Sequence, residues 1–342
     1  MKHQLLTLSL ILITSILTLG CGDNHQLLIQ QAYDQITQEP NSPYTGRLIP
    51  IGNGTGAQDA VALEWGNGQL YMLANHGTYP NKAQYLFTVD RDTGKAKRVN
   101  PGAMDLGGSF RQGRNFTQVK NVSPKDMAWL PPPSDPTQAP PGYIGEMLAI
   151  CPVIDSIVGI SVEGGFASRI NWEKGYCVLN QTQDTILEPY IDSAIAITHH
   201  NSNFIIAGRY QGSQSTQIFQ VSGNFRCATP LVQNAPINFN SNESHPYTLC
   251  SDGQYLYMSG ADTQSLYILN PFTGEAILIS AWEFVTIPEG YEVHDFRPDG
   301  QDIFDKDANT YGGLWITGLT FDGQNMFAIC AYTDTLYKLE TQ

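Results

Sequence analysis

Basic charge is what this chain most conspicuously lacks: 18 Lys and Arg stand against 32 Asp and Glu, for a net charge of −14. An acidic surface without a basic stripe has nothing with which to neutralise phosphates, so sequence-independent nucleic-acid binding is excluded. Charge of either sign is thin, at 15% of residues, and no stretch beyond residue 45 holds a helical period. Helix bundles, coiled coils and disordered tails are excluded with it. Catalytic signatures are missing too: the chain has no G-x-S-x-G, Walker loop, H-x-x-x-H or H-E-x-x-H. The glycine-rich Gly52 to Gly56 segment follows a strand and leads into no helix, which leaves its phosphate-binding reading weak.

What is present is turn and strand chemistry. Gly (32), Pro (20) and Tyr (17) are plentiful, and 42% of residues are hydrophobic. The stretch S-D-G-Q-Y-L-Y-M-S-G-A-D-T-Q-S-L-Y-I-L-N-P-F-T-G-E-A-I-L-I, from Ser251, reads as a turn, a strand, a loop, a strand, a Pro/Gly turn and a third strand. Residues from Phe321 align with it without a gap, and further copies start near Gly66, Gly145 and Asn201. A short antiparallel meander cannot bury both faces alone, whereas copies stacked round an axis cover one another. The expected fold is therefore all-β, a β-propeller of four-stranded antiparallel blades over residues 45–342.

The final copy stops where its siblings run on into a fourth strand. That strand is found at the other terminus: S-P-Y-T-G-R-L-I-P-I, from Ser42, matches N-P-F-T-G-E-A-I-L-I, from Asn270, in residue type. An N-terminal strand completing the C-terminal blade closes the ring and removes an open edge. Asp59, Asp126, Ser193, His245 and Trp315 fall at comparable points near inner-strand starts, about 50 to 70 residues apart. Ordinary propeller repeats are about 40 to 50 residues long. The echo of D-S-I-V-G-I-S (from Asp155) in D-S-A-I-A-I-T (from Asp192) suggests a degenerate extra blade, so six blades are expected, with five the runner-up.

The D-G-x-x-L-Y and L-Y-x-L-(D/N)-P-x-T-G strings resemble those of bacterial quinoprotein-like, NHL-like and glutamine-cyclotransferase-like propellers. They mark blade geometry, single out no one family and transfer no functional residue. Residues 1–20 carry Lys2, an apolar run from Leu5, and L-T-L-G-C ending at Cys21. This resembles a bacterial lipoprotein signal peptide with its lipobox. The resemblance implies cleavage before Cys21, a lipid on its thiol, and residues 21–44 as a polar tether. Gly22 in place of aspartate implies outer-membrane sorting in a diderm host. The implied partners are the membrane, through that lipid, and an envelope protein or glycan.

Inner-strand starts converge at a propeller's channel mouth, which makes Asp59, Asp126, Asp192 and His245 the candidate ligand or metal residues. Carboxylates with an imidazole suit Ca²⁺ or a transition metal, while the same aspartates equally cap strand ends. No cofactor is identified. Cys151 and Cys330 end equivalent strands and read as small buried hydrophobes; Cys177 and Cys227 are the one pair worth considering as a disulfide. The expected function is a lipid-anchored, non-catalytic binding or scaffold propeller for a protein, glycan or small ligand. The alternative is a channel enzyme, a metal-dependent lactonase or a quinone-dependent dehydrogenase using the Asp/His ring.

Overall fold

The repeats form five sheets, one per blade. The computed structural model describes residues 42–76, 83–99, 110–112, 115–117, 124–134, 144–151, 156–163, 167–169, 176–179, 186–201, 203–210, 215–221, 227–231, 236–239, 243, 245–262, 264–270, 273–281 and 315–342. Pro43–Gln342 is one compact unit and Met1–Ser42 another. The leader, Cys21 and the tether to residue 41 lie outside the described residues.

The closing strand β1 spans Tyr44–Ile51. Blade one follows with β2 (Gln58–Gly66), β3 (Gln69–His76), β4 (Ala83–Val89) and β5 (Ala96–Arg98). Blade two opens with a hairpin, β6 (Phe110–Gln112) and β7 (Asn115–Thr117), then β8 (Asp126–Leu130), β9 (Glu146–Cys151), β10 (Ser156–Ser161) and β11 (Ala167–Arg169). Blade three contains β12 (Tyr176–Leu179), β13 (Ile186–His200), β14 (Asn203–Tyr210), β15 (Thr216–Val221) and β16 (Cys227–Pro230). Blade four has β17 (Asn238–Phe239), β18 (Pro246–Ser251), β19 (Leu256–Gly260), β20 (Ser265–Leu269) and β21 (Glu275–Ala281). Blade five has β22 (Ile316–Phe321), β23 (Met326–Cys330) and β24 (Thr335–Thr341). The inner strands β2, β8, β13, β18 and β22 adjoin in that order, and β22 returns to β2.

The expectation of six blades gives way to five. Ser156–Ser161 of the D-S-I-V-G-I-S segment is β10, hydrogen bonded to β9 inside blade two, and begins no blade of its own; Asp155 lies outside the described residues. The extra residues go elsewhere. On reaching blades two, three and four, the chain first adds a parallel strand to the outer edge: β6 on β11, β12 on β16, β17 on β21. Three outer edges are covered in this way, and the repeat lengthens accordingly.

Packing explains the sequence pattern. Every residue of β19, β20 and β23 is buried, because middle strands are sandwiched by neighbouring blades on both faces. Alternation survives on edge strands such as β1, where Tyr44 is buried and Thr45 exposed. Five apolar clusters fill the five interfaces between blades; Leu70, Met72 and Phe87 of blade one, for example, meet Phe327 and Ile329 of blade five. Cys151 and Cys330 are free and wholly buried, as expected of small hydrophobes, and Cys250 joins them. The parallel register sets the backbone of Cys177 opposite that of Cys227.

Closure follows the register read from the chain ends. β1 lies antiparallel to β24, with Leu48 opposite Leu339 and Pro50 opposite Tyr337, and Gln342 N–H donates to Pro43 O at 2.8 Å. The strand begins at Tyr44, one residue before the expected boundary, because the Tyr44 ring is buried edge-on against Tyr257 at 5.5 Å. Gly46 sits at φ +77°, and a Cβ there would come within 2.2 Å of Ser280 Cβ, so the site demands glycine. The exposed Arg47–Glu340 ion pair, at 3.3 Å, adds little. Tyr44→Ala should therefore cost about 3 kcal/mol in chemical denaturation. Arg47→Ala should stay within about 0.5 kcal/mol of the parent protein.

Candidate functional site

The two ends of the ring differ chemically. At one end the first and second strands of blades four and five are joined by tight turns that satisfy themselves. Asp252 Oδ1 accepts from Gln254 N and Tyr255 N at 2.8 and 2.7 Å, and Asp322 Oδ1 does the same for Gln324 N and Asn325 N. These are the D-G turns of the repeat, with Gly253 and Gly323 at φ +88° and +94°.

At the opposite end, where inner strands start, buried polar atoms go unmatched. Among the described residues, Gln84 Oε1, Arg209 Nε, Thr216 Oγ1, Gln217 Oε1, Gln264 Oε1 and Trp315 Nε1 have no hydrogen-bond partner. All six residues lie at this end of their blades: Gln84 is near the start of β4, Arg209 near the end of β14, Thr216 and Gln217 start β15, and Gln264 and Trp315 immediately precede β20 and β22. An unmatched buried polar group costs about 1–3 kcal/mol, so such groups gather only where something else keeps them.

Cations and aromatic rings share the same mouth. Lys125 Nζ lies 4.7 Å from the centre of the Tyr247 ring. Tyr247 meets Trp315 edge-on at 5.8 Å, and Trp315 meets Tyr332 at 5.3 Å. Burial depresses the Lys125 pKa, with Asp126 opposing and Arg209 adding to the fall. Burial also pushes the Tyr247 phenol up to about 12. His245 is held below the usual histidine range by burial and then by Lys125, so it is neutral at pH 7. On blade four, ligand atoms of Glu243, His245 and Asp262 all lie within 4.8 Å of one another. Glu243 Oε1 also accepts from Asp262 N at 3.0 Å and from His245 N at 3.3 Å.

The four candidate residues have separate surroundings. His245 joins Glu243 and Asp262. Asp59 Oδ2 accepts from Asn75 Nδ2 at 3.3 Å. Asp192 falls at a register shift in β13, and its side chain lies outside the described residues. Asp126 is fully buried and ties three inner strands: Oδ2 accepts from Ile197 N (3.0 Å) and Leu249 N (3.2 Å), Oδ1 from Thr248 Oγ1 (3.0 Å). Glu64, which sequence reasoning missed, does the same for the rest of the ring. Its Oε1 accepts from Trp129 N at 3.0 Å and its Oε2 from Thr320 Oγ1 at 3.2 Å. Lys125, Arg209 and Tyr247 were missed as well; Trp315 had been marked by spacing alone.

The strand order makes the protein a five-bladed β-propeller, and among the described residues its unmatched buried side-chain atoms fall at the end where the inner strands begin. Neither a protein-family model nor a curated protein matches the chain. Among solved structures it is similar to a glutaminyl cyclase from Myxococcus xanthus, at 9% identity and TM-score 0.46, covering 86% of this chain and 94% of that one. The PQQ-bound aldose sugar dehydrogenase of Streptomyces coelicolor gives 13% identity and 0.43, covering 86% and 98%. TolB from Acinetobacter baumannii gives 11% and 0.35, covering 95% and 71%. No specific family is identified.

Burial outweighs the hydrogen bonds at Asp126 and lifts its pKa to about 7. The folded protein then holds a proton that the unfolded chain releases near pH 4. Stability from this group is full at low pH and lost as pH rises through about 7. Between pH 5 and 8 the parent protein should lose about 2 kcal/mol relative to Asp126→Asn. Melting curves of both across that range provide the check. Asp126→Ala, which strands two N–H groups and a hydroxyl, should cost about 3 kcal/mol or more at any pH.

Proposed function

We propose that this is a lipid-anchored cell-envelope propeller whose unsatisfied mouth binds a ligand without transforming it. The single observation that carries the binding half is the collection of buried polar atoms at one end that go unmatched among the described residues, while the D-G turns at the other end close on themselves. A binding site needs such groups in place before the ligand arrives. The anchoring half rests on the apolar leader and the L-T-L-G-C string ending at Cys21, with outer-membrane sorting read from Gly22. An envelope protein or glycan is the alternative occupant of the same mouth.

One observation favours the enzymatic reading: the Glu243, His245 and Asp262 donors are close enough together to share one divalent ion. Two carboxylates and a neutral imidazole suit Zn²⁺ or Mn²⁺, as a metal-dependent lactonase would require. The neighbouring Lys125 and Arg209 charges oppose a cation there. If the enzymatic reading holds, Zn²⁺ binds stoichiometrically in calorimetry and His245→Ala removes it; heat from Zn²⁺ that persists in His245→Ala counts against this site.

The binding reading is tested with full-length protein. Palmitate should label the parent protein and not Cys21→Ser, which should leave the membrane fraction. A thermal-shift panel of metabolites and glycans should contain compounds that stabilise the parent by about 2 °C or more and leave Trp315→Ala unmoved. Turnover of any such compound, dependent on the mouth residues, would overturn the non-catalytic reading.

A further inference from the structure

We propose that the recess between the β2–β3 and β4–β5 turns of blade one binds a single neutral sugar ring, its C–H face on Trp65 and its hydroxyls on Gln69, Asp90, Arg91 and Asp92. The recess lies at the end of the ring opposite the mouth, so the proposal goes beyond the ligand reading above and does not depend on it.

Size and walls come first. The recess measures about 370 Å³, at the small end of ligand pockets, which run from about 300 to 1,000 Å³. Room of that size suits one ring and not a long chain. Trp65, Leu70 and Val89 give it an apolar side, and the turn residues give it a polar one. Blade one differs from its siblings at this turn. The cross-strand pairs Trp65–Leu70, Ser251–Leu256 and Phe321–Met326 are equivalent, which sets Gly66 where blades four and five have Asp252 and Asp322. The Trp129 ring of blade two fills the space beside Gly66, and a Cβ there would come within 2.4 Å of it. The connection is left to Asn67 and Gly68, both at positive φ (+46° and +76°), and a Cβ on Gly68 would meet nothing within 4 Å.

The polar groups are held in place before any ligand arrives. Asp90 Oδ1 accepts from Asp92 N, Thr93 N and Thr93 Oγ1 at 3.1, 2.8 and 2.9 Å, which fixes the carboxylate and leaves Oδ2 for a ligand. Gln69 Nε2 donates to Leu70 O and Val89 O at 3.1 and 2.8 Å, so Oε1 is the acceptor it presents. Arg91 Nη1 donates to Asp322 Oδ2 of blade five at 3.3 Å, which steadies the guanidinium and leaves it further N–H donors. Donors and acceptors are thus mixed. An anion would face Asp90 and Asp92, and a cation would face Arg91. A hydroxyl both donates and accepts, so a ring carrying several of them answers both kinds of group. The indole supplies a flat apolar platform whose negative face suits C–H groups.

Saturation-transfer NMR on full-length protein in a sugar-free detergent tests this with the methyl glycosides of glucose, galactose and mannose, and with their 2-amino-2-deoxy and uronate analogues as charged counterparts. At least one methyl glycoside should bind with a Kd of about 1 mM, as expected for a ligand of that size, and its charged counterparts about fivefold more weakly. Gly68→Asn keeps the turn, because asparagine tolerates positive φ, and should abolish binding by filling the recess. Asp92→Ala, at a side chain 86% exposed, should melt with the parent and weaken binding about threefold, as should Trp65→Phe. Trp315→Ala, at the mouth, should leave glycoside binding unchanged. A charged analogue that binds as well as its neutral glycoside overturns the neutral-sugar assignment. Binding that survives Gly68→Asn, or that Trp315→Ala removes, overturns the site. Binding indifferent to both Asp92→Ala and Trp65→Phe overturns it too, even where Gly68→Asn fails to fold. Silence from all three glycosides sinks the proposal and leaves the reading of the mouth to its own metabolite panel.

Discussion

Five inner strands surround an axis, and each has one edge with no strand beside it. The N–H and C=O groups on those edges are too buried for water to serve them all, and leaving them unmatched would cost several kcal/mol in total. Side chains from neighbouring blades provide the partners. Asp126 accepts from Ile197 N of blade three and Leu249 N of blade four, and Glu64 of blade one accepts from Trp129 N of blade two. Blade five joins through Thr320, whose hydroxyl accepts from Trp65 N at 2.8 Å and donates to Glu64, and through Thr317 Oγ1, which donates to Ala60 O at 2.7 Å. Ser259 Oγ donates to Ile316 O at 3.0 Å and links blade four to blade five. A carboxyl group suits this work because each of its two oxygens accepts more than one hydrogen bond. The apolar clusters hold blades face to face, while these bonds fix how far each blade turns about the axis.

That constraint separates the two ends of the molecule. With Asp126 wholly buried and Glu64 recessed among three inner strands, the axis is filled by polar side chains that already have work. The D-G turns likewise use their own aspartates. What remains is the end where inner strands begin, and it carries the unmatched atoms. The ring closes through β1 and β24 on a buried tyrosine and cross-strand leucines, in the outer layer. Closure is therefore independent of the mouth, whose residues can vary without reopening the ring.

Much of this architecture was legible in the sequence, because turn chemistry and strand length leave local marks. Pro50 opposite Tyr337 follows from matching S-P-Y-T-G-R with N-P-F-T-G-E, and Gly46 and Gly274 share positive φ values of +77° and +74°. The blade number was not legible. The strands that lengthen the repeat, such as Asn238–Phe239 on Glu275–Ala281, are short and parallel and have no periodic signal of their own. His199 and His200 end β13, where His200 Nδ1 bonds Ser251 Oγ at 2.7 Å and His199 packs on Phe204 at 5.0 Å. At the mouth the position of Asp126 was readable from spacing, but its three partners come from blades 71 to 123 residues away. Glu64, in β2 at E-W-G, belongs to no motif that would mark it out, and its partners Trp129 and Thr320 come from other blades. Lys125 and Arg209 gave no sign, since isolated cations at strand ends look the same whether paired or not.

Lys125 and Asp126 show how the ring's architecture shapes its chemistry. Adjacent residues of opposite charge would ordinarily be expected to answer one another. On a strand, however, successive side chains point to opposite sides, and the Asp126 oxygens are held by two backbone N–H groups and a hydroxyl from other blades. Turning Asp126 toward Lys125 would strand those donors in the interior, at about 1–3 kcal/mol apiece, to gain one partly desolvated ion pair. The inner-strand edges win that competition. Among the described residues, Lys125 is left against the Tyr247 ring instead, with Arg209 nearby.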